Sequence, residues 1–296
     1  MKKIRCGIGI AAYNEEANIA NLLDCVLAQE FHMVELADIV VVSSGSTDNT
    51  EAIVHEYMAK DGRIRLLTQE KREGKVSAVN LFIREARENV LILCSADLKP
   101  KLDAIEKLVA PLADPDIGMT SCRPVPVNDP NTFMGFAAHL LWDLHHEMNL
   151  NGFKAGEMTA FRKVFERIPY YAVVDEASVE PVIRGQGYRV CYVPDSIVYN
   201  KGPETVDDFL RQRRRNHAGH LGLKRDLGYA VSTMSGFTIL MLLLRNLDWR
   251  PRQFIWTWAI VALEVYSRFL GWRDFKNKRD HTVWEMATTT KQLETN

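Results

Sequence analysis

The chain lacks paired cysteine spacing, internal repeats, low-complexity tracts and a surplus of either charge sign. Each absence removes a class of protein. With 37 Lys and Arg against 38 Asp and Glu, the formal net charge is −1, so whole-molecule electrostatics give no basis for a nucleic-acid partner. The cysteines are few and odd in number: Cys6, Cys25, Cys94, Cys122 and Cys191. Most lie in apolar runs, which reads as reduced, packed side chains in a cytosolic compartment. A composition of 47% apolar and 25% charged residues excludes disorder, collagen-like repeats and small disulfide scaffolds. The opening MKKIRCGIGIAAYNEE imitates a signal peptide, but its apolar run is short and is interrupted by Glu15 and Glu16.

What is present is alternation. Ile4, Ile8 and Ile10 with small neighbours suit a buried strand, and Asn18 to Leu27 repeats apolar residues at helical spacing. A β-branched run from Ala37 to Val42 follows, then helical spacing over Thr50 to Met58. The pattern continues with a strand at Ile64 to Leu67, a helix at Val76 to Arg87 and a strand at Val90 to Cys94. Such a sequence predicts an α/β fold with a mostly parallel sheet, helices on both faces and ligands at the carboxyl ends of the strands. Farther on, a helix is expected over 102–112, a strand at Met119 to Arg123, a helix at Phe133 to Asn149 and a strand at Arg189 to Val193. Pro124, Pro126 and Pro130 argue against a central strand in between, and Gly152 to Arg162 reads as loop and turn.

The character changes after residue 204. Thr205, with Asp208 three positions later, resembles a capping box opening a helix that is strongly basic in its middle. Tyr229 to Leu244 carries no charge but falls short of the roughly 18–20 residues needed to cross a bilayer. Gln253 to Trp272 is apolar apart from Glu264 and Arg268, an i,i+4 pair. Basic clusters at Arg211 to Arg215 and Arg273 to Arg279 flank these segments, with tryptophans near their ends. The favoured reading is an amphipathic hairpin lying in or dipping into the cytoplasmic face of a membrane; packing on the domain or in a homo-oligomer interface is the second reading, and true spanning the third. The expected organisation is a catalytic unit over 1–204, a basic helix over 205–228 that completes the site, and an apolar helical region over 229–296.

Several turns carry candidate chemistry. AAYNEE, after the first strand, offers Ala12, Tyr13, Asn14 and Glu15 to a nucleobase, although Asn14 also suits a helix cap. SSGSTDNT, after the second strand, offers Ser44, Gly45 and Asp48, again with capping as the plainer reading. Gly74 and Lys75 open a helix where backbone N–H groups and a lysine suit a phosphate. SADLKP ends an apolar strand with Ala96 and Asp97, placing a carboxylate where a metal or diphosphate would sit.

Taken together, AYNEE, SSGSTDNT, GKVSAVN, SADLKP, GEMTAFRK, VVDEASVE and QRRRN resemble, in order and spacing, the family 2 glycosyltransferases of the GT-A fold, from about Ile4 to Gly219. The resemblance implies a Rossmann-like sheet and an inverting transfer of hexose from a nucleoside-diphosphate sugar to a lipid-linked or glycan acceptor. It implies nucleotide-sugar contacts from Ala12, Tyr13, Asn14, Glu15, Ser44, Asp48, Lys75 and Ala96, with Gly156 and Glu157 beneath donor sugar and acceptor. It further implies Asp97 as ligand of Mg²⁺ or Mn²⁺, Glu176 or Asp175 as base, and Gln212 with Arg215 facing the diphosphate.

The sequence also departs from that pattern. Ser43 and Ser44 replace an Asp–Asp pair, Ser95 replaces the first Asp of DxD, and Asn216 replaces a tryptophan. One carboxylate fewer leaves a cation dependent on diphosphate oxygens, water and His217 or His220. Two rivals follow: a non-catalytic nucleotide-sugar-binding scaffold, and a sugar nucleotidyltransferase. The latter would carry a Gly-rich phosphate loop behind its first strand, and AAYNEE is not one.

Overall fold

The computed structural model describes residues 3–169, 175–229 and 236–279. Its first part is the expected alternation: β1 (Ile4–Ala12), α1 (Ile19–Leu27), β2 (Val34–Ser44), α2 (Thr50–Lys60), β3 (Ile64–Gln69), α3 (Lys75–Glu85) and β4 (Val90–Ser95). The two-residue strand β5 (Lys99–Pro100), α4 (Ala104–Val109), β6 (Ile117–Pro126), α5 (Phe133–Leu150), β7 (Thr159–Arg162), α6 (Asp175–Gly185) and β8 (Arg189–Asn200) follow. The described chain ends with α7 (Val206–Leu227), α8 (Gly236–Arg245) and α9 (Pro251–Lys276).

The strands form one mixed sheet in the order β3-β2-β1-β4-β7-β6-β8-β5. β1 runs parallel to β2 and β4, while β7 is antiparallel to both of its neighbours. Both faces are covered, which is why β2 and β4 read as continuous apolar runs rather than alternating ones. Val41 and Ile92 face the layer that holds Leu22, Leu23 and Ile105; Val40, Val42, Leu91 and Leu93 face the layer of Val79, Phe82 and Ile183. Helix α3 lies so close to β1 that a Cβ on Gly9 would fall 2.3 Å from the Phe82 ring.

Three expectations are corrected. Pro124 and Pro126 do lie in a strand flanked on both sides, β6, but β7 pairs only with its first half, ending at Ser121 opposite Thr159. Beyond that point β6 pairs with β8 alone, so the prolines sit where a missing N–H costs no ladder bond. The span 152–162 is not all loop, because Thr159–Arg162 forms β7 between β4 and β6. β8 is also longer than expected, since a shift in register lets its second half reach Asn200.

Thr205 caps α7, its Oγ accepting the Asp208 N–H at 3.2 Å. Helix α9 packs along α7, and a Cβ on Gly271 would fall 2.5 Å from the Arg214 carbonyl oxygen. The expected Arg268–Glu264 pair forms at 2.9 Å, and Glu264 also receives Arg213; Arg214 pairs with Asp274. Among the described residues no helix is long and apolar enough to cross a membrane.

Candidate active site

A cleft of about 310 Å³ opens beyond the carboxyl end of β4. Asp97 reaches it from the turn after β4, and Lys75 from the first turn of α3. Gly156 and Glu157 enter from the loop before β7, and Gln212 and Arg215 from α7. Residues up to 140 positions apart thus line one cleft, because each follows the carboxyl end of a parallel strand, precedes the antiparallel β7 at that same edge, or lies on a helix that reaches it. Asp175 and Glu176 open α6, and their side chains lie outside the described part of the structure; the next residue, Ala177, lines the cleft.

The loop that carries Glu157 is stitched down locally. Ser121 Oγ accepts the Gly156 N–H at 2.7 Å, and Cys122 Sγ accepts that of Met158 at 3.3 Å. A Cβ on Gly156 would lie 3.1 Å from the Cys122 carbonyl oxygen, so a larger residue would push the loop off β6. Asn200, at the end of β8, donates to Glu157 Oε1 at 3.5 Å.

The remaining expected residues gather beside the cleft rather than in its lining. Asn14 Oδ1 accepts the Thr47 N–H at 2.8 Å, and Asn14 donates its own N–H to Ser46 Oγ at 3.2 Å. The Glu15 N–H binds Thr50 Oγ1 at 2.8 Å, and Asp48 accepts N–H groups from Glu16 at 3.1 Å and Thr50 at 3.0 Å. Burial pushes the Asp48 carboxyl up, but the hydrogen bonds from Thr50 and Glu16 outweigh it and hold the group below the usual range. Ser44 is buried and its Oγ accepts the Glu73 N–H at 3.1 Å, while the Arg72 guanidinium lies 4.1 Å from the centre of the Tyr13 ring. Ala12 and Ala96 are buried at the strand ends. The turns after β1, β2 and β3 are therefore one interlocked unit, joined to the cleft through Gly74 and Lys75.

Sequence reasoning missed Lys154, and missed that it meets Arg213, His217 and His220 of α7 with Glu264 and Arg268 of α9 at the far end of the cleft. Burial, aided by Arg213, lowers Lys154 to about 8. Burial and then Lys154 lower His145 to about 3, and the same two influences hold His220 well below its usual value. A lone lysine in a loop carries no signal, and the basic run 213–215 does not reveal that α9 folds back against it. Among the described residues no group of three or more His, Cys, Asp or Glu side chains could hold a metal ion.

The model of glycosyl transferase family 2 matches residues 8–182, which contain the three interlocked turns, Asp97, Glu157 and the start of α6. The chain belongs to that family. This glycosyltransferase is 26% identical over 242 residues to a poly-beta-1,6-N-acetyl-D-glucosamine synthase of Staphylococcus aureus (strain COL), covering 76% of the present chain but only 57% of the synthase. It shares the GT-A fold with a mannosyltransferase from Pyrobaculum calidifontis solved with GDP-Man and Mn2+, at a TM-score of 0.60 and 23% identity over 89% of this chain and 76% of that one. A glucosyl-3-phosphoglycerate synthase from Mycobacterium tuberculosis, solved with Mn2+, UDP and phosphoglyceric acid, superposes with a TM-score of 0.53 at 17% identity, covering 77% and 80% of the two chains.

Proposed function

We propose that this glycosyltransferase moves a hexose, with inversion, from a nucleoside-diphosphate sugar to a lipid-linked or glycan acceptor at a cytoplasmic membrane face. The observation that carries the reading is the convergence of Lys75, Asp97, Glu157, Gln212 and Arg215 on one cleft, beside the loop unit of Tyr13, Asn14, Glu15, Ser44 and Asp48. The loop unit takes the nucleotide, and its proximity to Lys75 sets the diphosphate at the cleft mouth. Lys75 and Arg215 then face the charge that grows on the leaving diphosphate as the glycosidic C–O bond breaks. A carboxylate at the start of α6, Glu176 or Asp175, accepts the proton of an attacking hydroxyl. Gly156 and Glu157 bear the donor sugar.

A divalent cation fits these residues only as the companion of a diphosphate, because Asp97 is the single carboxylate on its turn and Ser95 stands where a second would be. Asp97 would hold Mg²⁺ or Mn²⁺ together with phosphate oxygens and water. When bound, such an ion offsets leaving-group charge.

Membrane association rests on α9. Its outer face presents Ile255, Trp258, Val265, Tyr266, Phe269 and Trp272, all exposed, at helical spacing. Arg252 and Lys276 cover Trp256 and Trp272 near the two ends, at 4.1 and 4.3 Å from the ring centres. An apolar stripe bounded by cations is the pattern of a helix lying in a headgroup layer. A melting-temperature screen with UDP- and GDP-sugars, with and without Mn²⁺, tests the donor reading, since ligands that bind the folded state raise its melting point. No shift with any nucleotide sugar would refute it.

A further inference from the structure

We propose that Glu51 selects the base of the donor nucleotide, and that the base is guanine, whose ring N1–H and exocyclic N2–H the carboxylate accepts together. The proposal deepens the glycosyl-transfer reading and rests on its placement of the nucleotide in the loop unit.

The direction of a hydrogen-bond chain is the first observation. β2 ends in Ser43 and Ser44, and a carboxylate reaches Ser43 from the first turn of α2: Ser43 Oγ lies 2.6 Å from Glu51 Oε1. The same hydroxyl lies 3.0 Å from Ser46 Oγ, which accepts the Asn14 N–H at 3.2 Å. A carboxylate only accepts, so the Ser43 proton goes to Glu51 and the Ser46 proton fills the contact between the two serines. The run from Asn14 through Ser46 and Ser43 to Glu51 therefore points one way, with both hydroxyl protons used inside it. What it presents at its end is acceptor capacity. Among the described residues Glu51 has no ion pair, and no hydrogen bond besides the one from Ser43.

Position is the second observation. Ser43 stands opposite Ala12 of β1, and Ala11 stands opposite Ser95 of β4, so the ends of β2 and β4 lie level at the carboxyl edge of the sheet. Only β1 separates them, which sets the two ends about 10 Å apart at ordinary strand spacing. Asp97 follows Ser95 into the cleft, where Lys75 joins it. A diphosphate held at that end carries its base one nucleoside length away, toward Ser43 and Glu51. The carboxylate thus stands at the base end of the site, clear of the phosphates it would repel.

The edge of the base decides the rest. Guanine alone among the four common bases sets two N–H donors side by side on its pairing edge. Uracil has one N–H between two carbonyl oxygens, and adenine and cytosine each have an amine beside a ring-nitrogen lone pair. A carboxylate has about four lone-pair sites on its two oxygens, and Ser43 takes one. Glu51 can therefore make two charge-assisted bonds to guanine and one at most to the other bases. Ser43 and Ser46 have no proton left to offer a carbonyl oxygen or a ring nitrogen, so the chain does nothing to favour those bases.

Calorimetry on the full chain with Mn²⁺ tests this with GDP, UDP, ADP, CDP and inosine diphosphate, which is GDP without the N2 amine. GDP should bind at least tenfold tighter than UDP, ADP or CDP, and about tenfold tighter than inosine diphosphate, which forfeits one charge-assisted bond. These comparisons use the wild-type chain and do not depend on any variant folding. Glu51→Ala should bring GDP and inosine diphosphate within about twofold of each other. Glu51→Gln, which keeps one acceptor oxygen, should weaken GDP about tenfold to a hundredfold and leave UDP within about threefold. UDP, ADP or CDP binding as tightly as GDP overturns the base assignment and leaves the transferase reading intact. A preference for GDP that survives in Glu51→Ala, or an equal loss for every diphosphate in that variant, assigns Glu51 to holding the turns together and removes it from recognition. Failure of every nucleoside diphosphate and nucleotide sugar to bind overturns the nucleotide reading itself, and the proposal with it.

Discussion

Arg213 and Glu264 meet through two N–H···O contacts, 2.7 Å from Nε and 2.8 Å from the second guanidinium nitrogen, and so bind the basic helix to the last one. Arg268 takes up the same carboxylate from within α9 at 2.9 Å. Helix α7 therefore reaches the cleft from a fixed platform. Glu264→Ala would leave two cations without their shared partner. It should destabilise the fold by about 3 kcal/mol, the low end of the range for breaking a buried pair, because Arg213 is 25% exposed. Urea unfolding measures it; a loss under about 1 kcal/mol would mean that water already screens the group.

Gly45 is the second mechanical point. Its φ is +69°, and an added Cβ would fall 2.6 Å from the Arg72 backbone nitrogen, which has no flexible end to yield. Gly45→Ala should cost about 1–3 kcal/mol and weaken nucleotide affinity by parting the turns after β2 and β3. Gly222→Ala, in α7 with nothing within 4 Å of its added Cβ, should instead stabilise by about 0.5–1 kcal/mol. Equal melting temperatures for the two variants would contradict this account.

Asp97 is the carboxylate on which metal-linked donor binding depends in this reading. Asp97→Ala should remove the part of nucleotide-sugar affinity that Mn²⁺ adds and leave metal-free affinity within about twofold, a change of under 0.5 kcal/mol. Calorimetry with and without Mn²⁺ tests both halves. Identical metal dependence in wild type and variant would take Asp97 out of the role.

Much of the site was legible because strand ends announce themselves. The run Val90 to Cys94 is apolar on both faces, so the polar turn after it had to lie at the sheet's carboxyl edge, and Asp97 with it. Prolines misled for a physical reason: 124 and 126 look like breakers until β7 is seen to stop at Thr159, and that pairing is long-range. Lys154 was invisible for the same cause. Its environment is made by Arg213, Glu264 and Arg268, none of them nearby in sequence.

Acid should unfold the protein earlier than its carboxylates alone would dictate. Burial keeps His145 and His220 neutral in the folded chain well below the ordinary histidine range, His145 to about 3. Below about pH 6.5 the unfolded chain protonates these side chains and the folded chain does not, so the unfolded state binds more protons. Stability is then fully present above about pH 6.5 and falls with pH by up to about 1.4 kcal/mol per unit for each histidine. Urea midpoints between pH 7 and 5 read the slope, ahead of carboxylate titration. His145→Gln should flatten it by one proton, and an unchanged slope would show that His145 is protonated in the folded state.

The outer face of α9 offers the last prediction. Val265 and Phe269 are 63% and 53% exposed, one turn apart, and lie opposite the buried Ser267 and Gly271 that face α7. Charges placed there touch neither the cleft nor the α7 contact, so Val265→Glu with Phe269→Glu should leave nucleotide-sugar affinity intact. Each removes an apolar side chain whose insertion into a headgroup layer is worth about 1.5–3 kcal/mol when complete, and adds repulsion from anionic lipid. Sedimentation with phosphatidylglycerol-containing vesicles should therefore fall at least tenfold, and the wild-type affinity should weaken with salt as Arg252, Arg273 and Lys276 are screened. A wild-type chain that ignores vesicles and instead forms a dimer, disrupted by the same double variant, would assign the stripe to a second copy of the chain and not to a membrane.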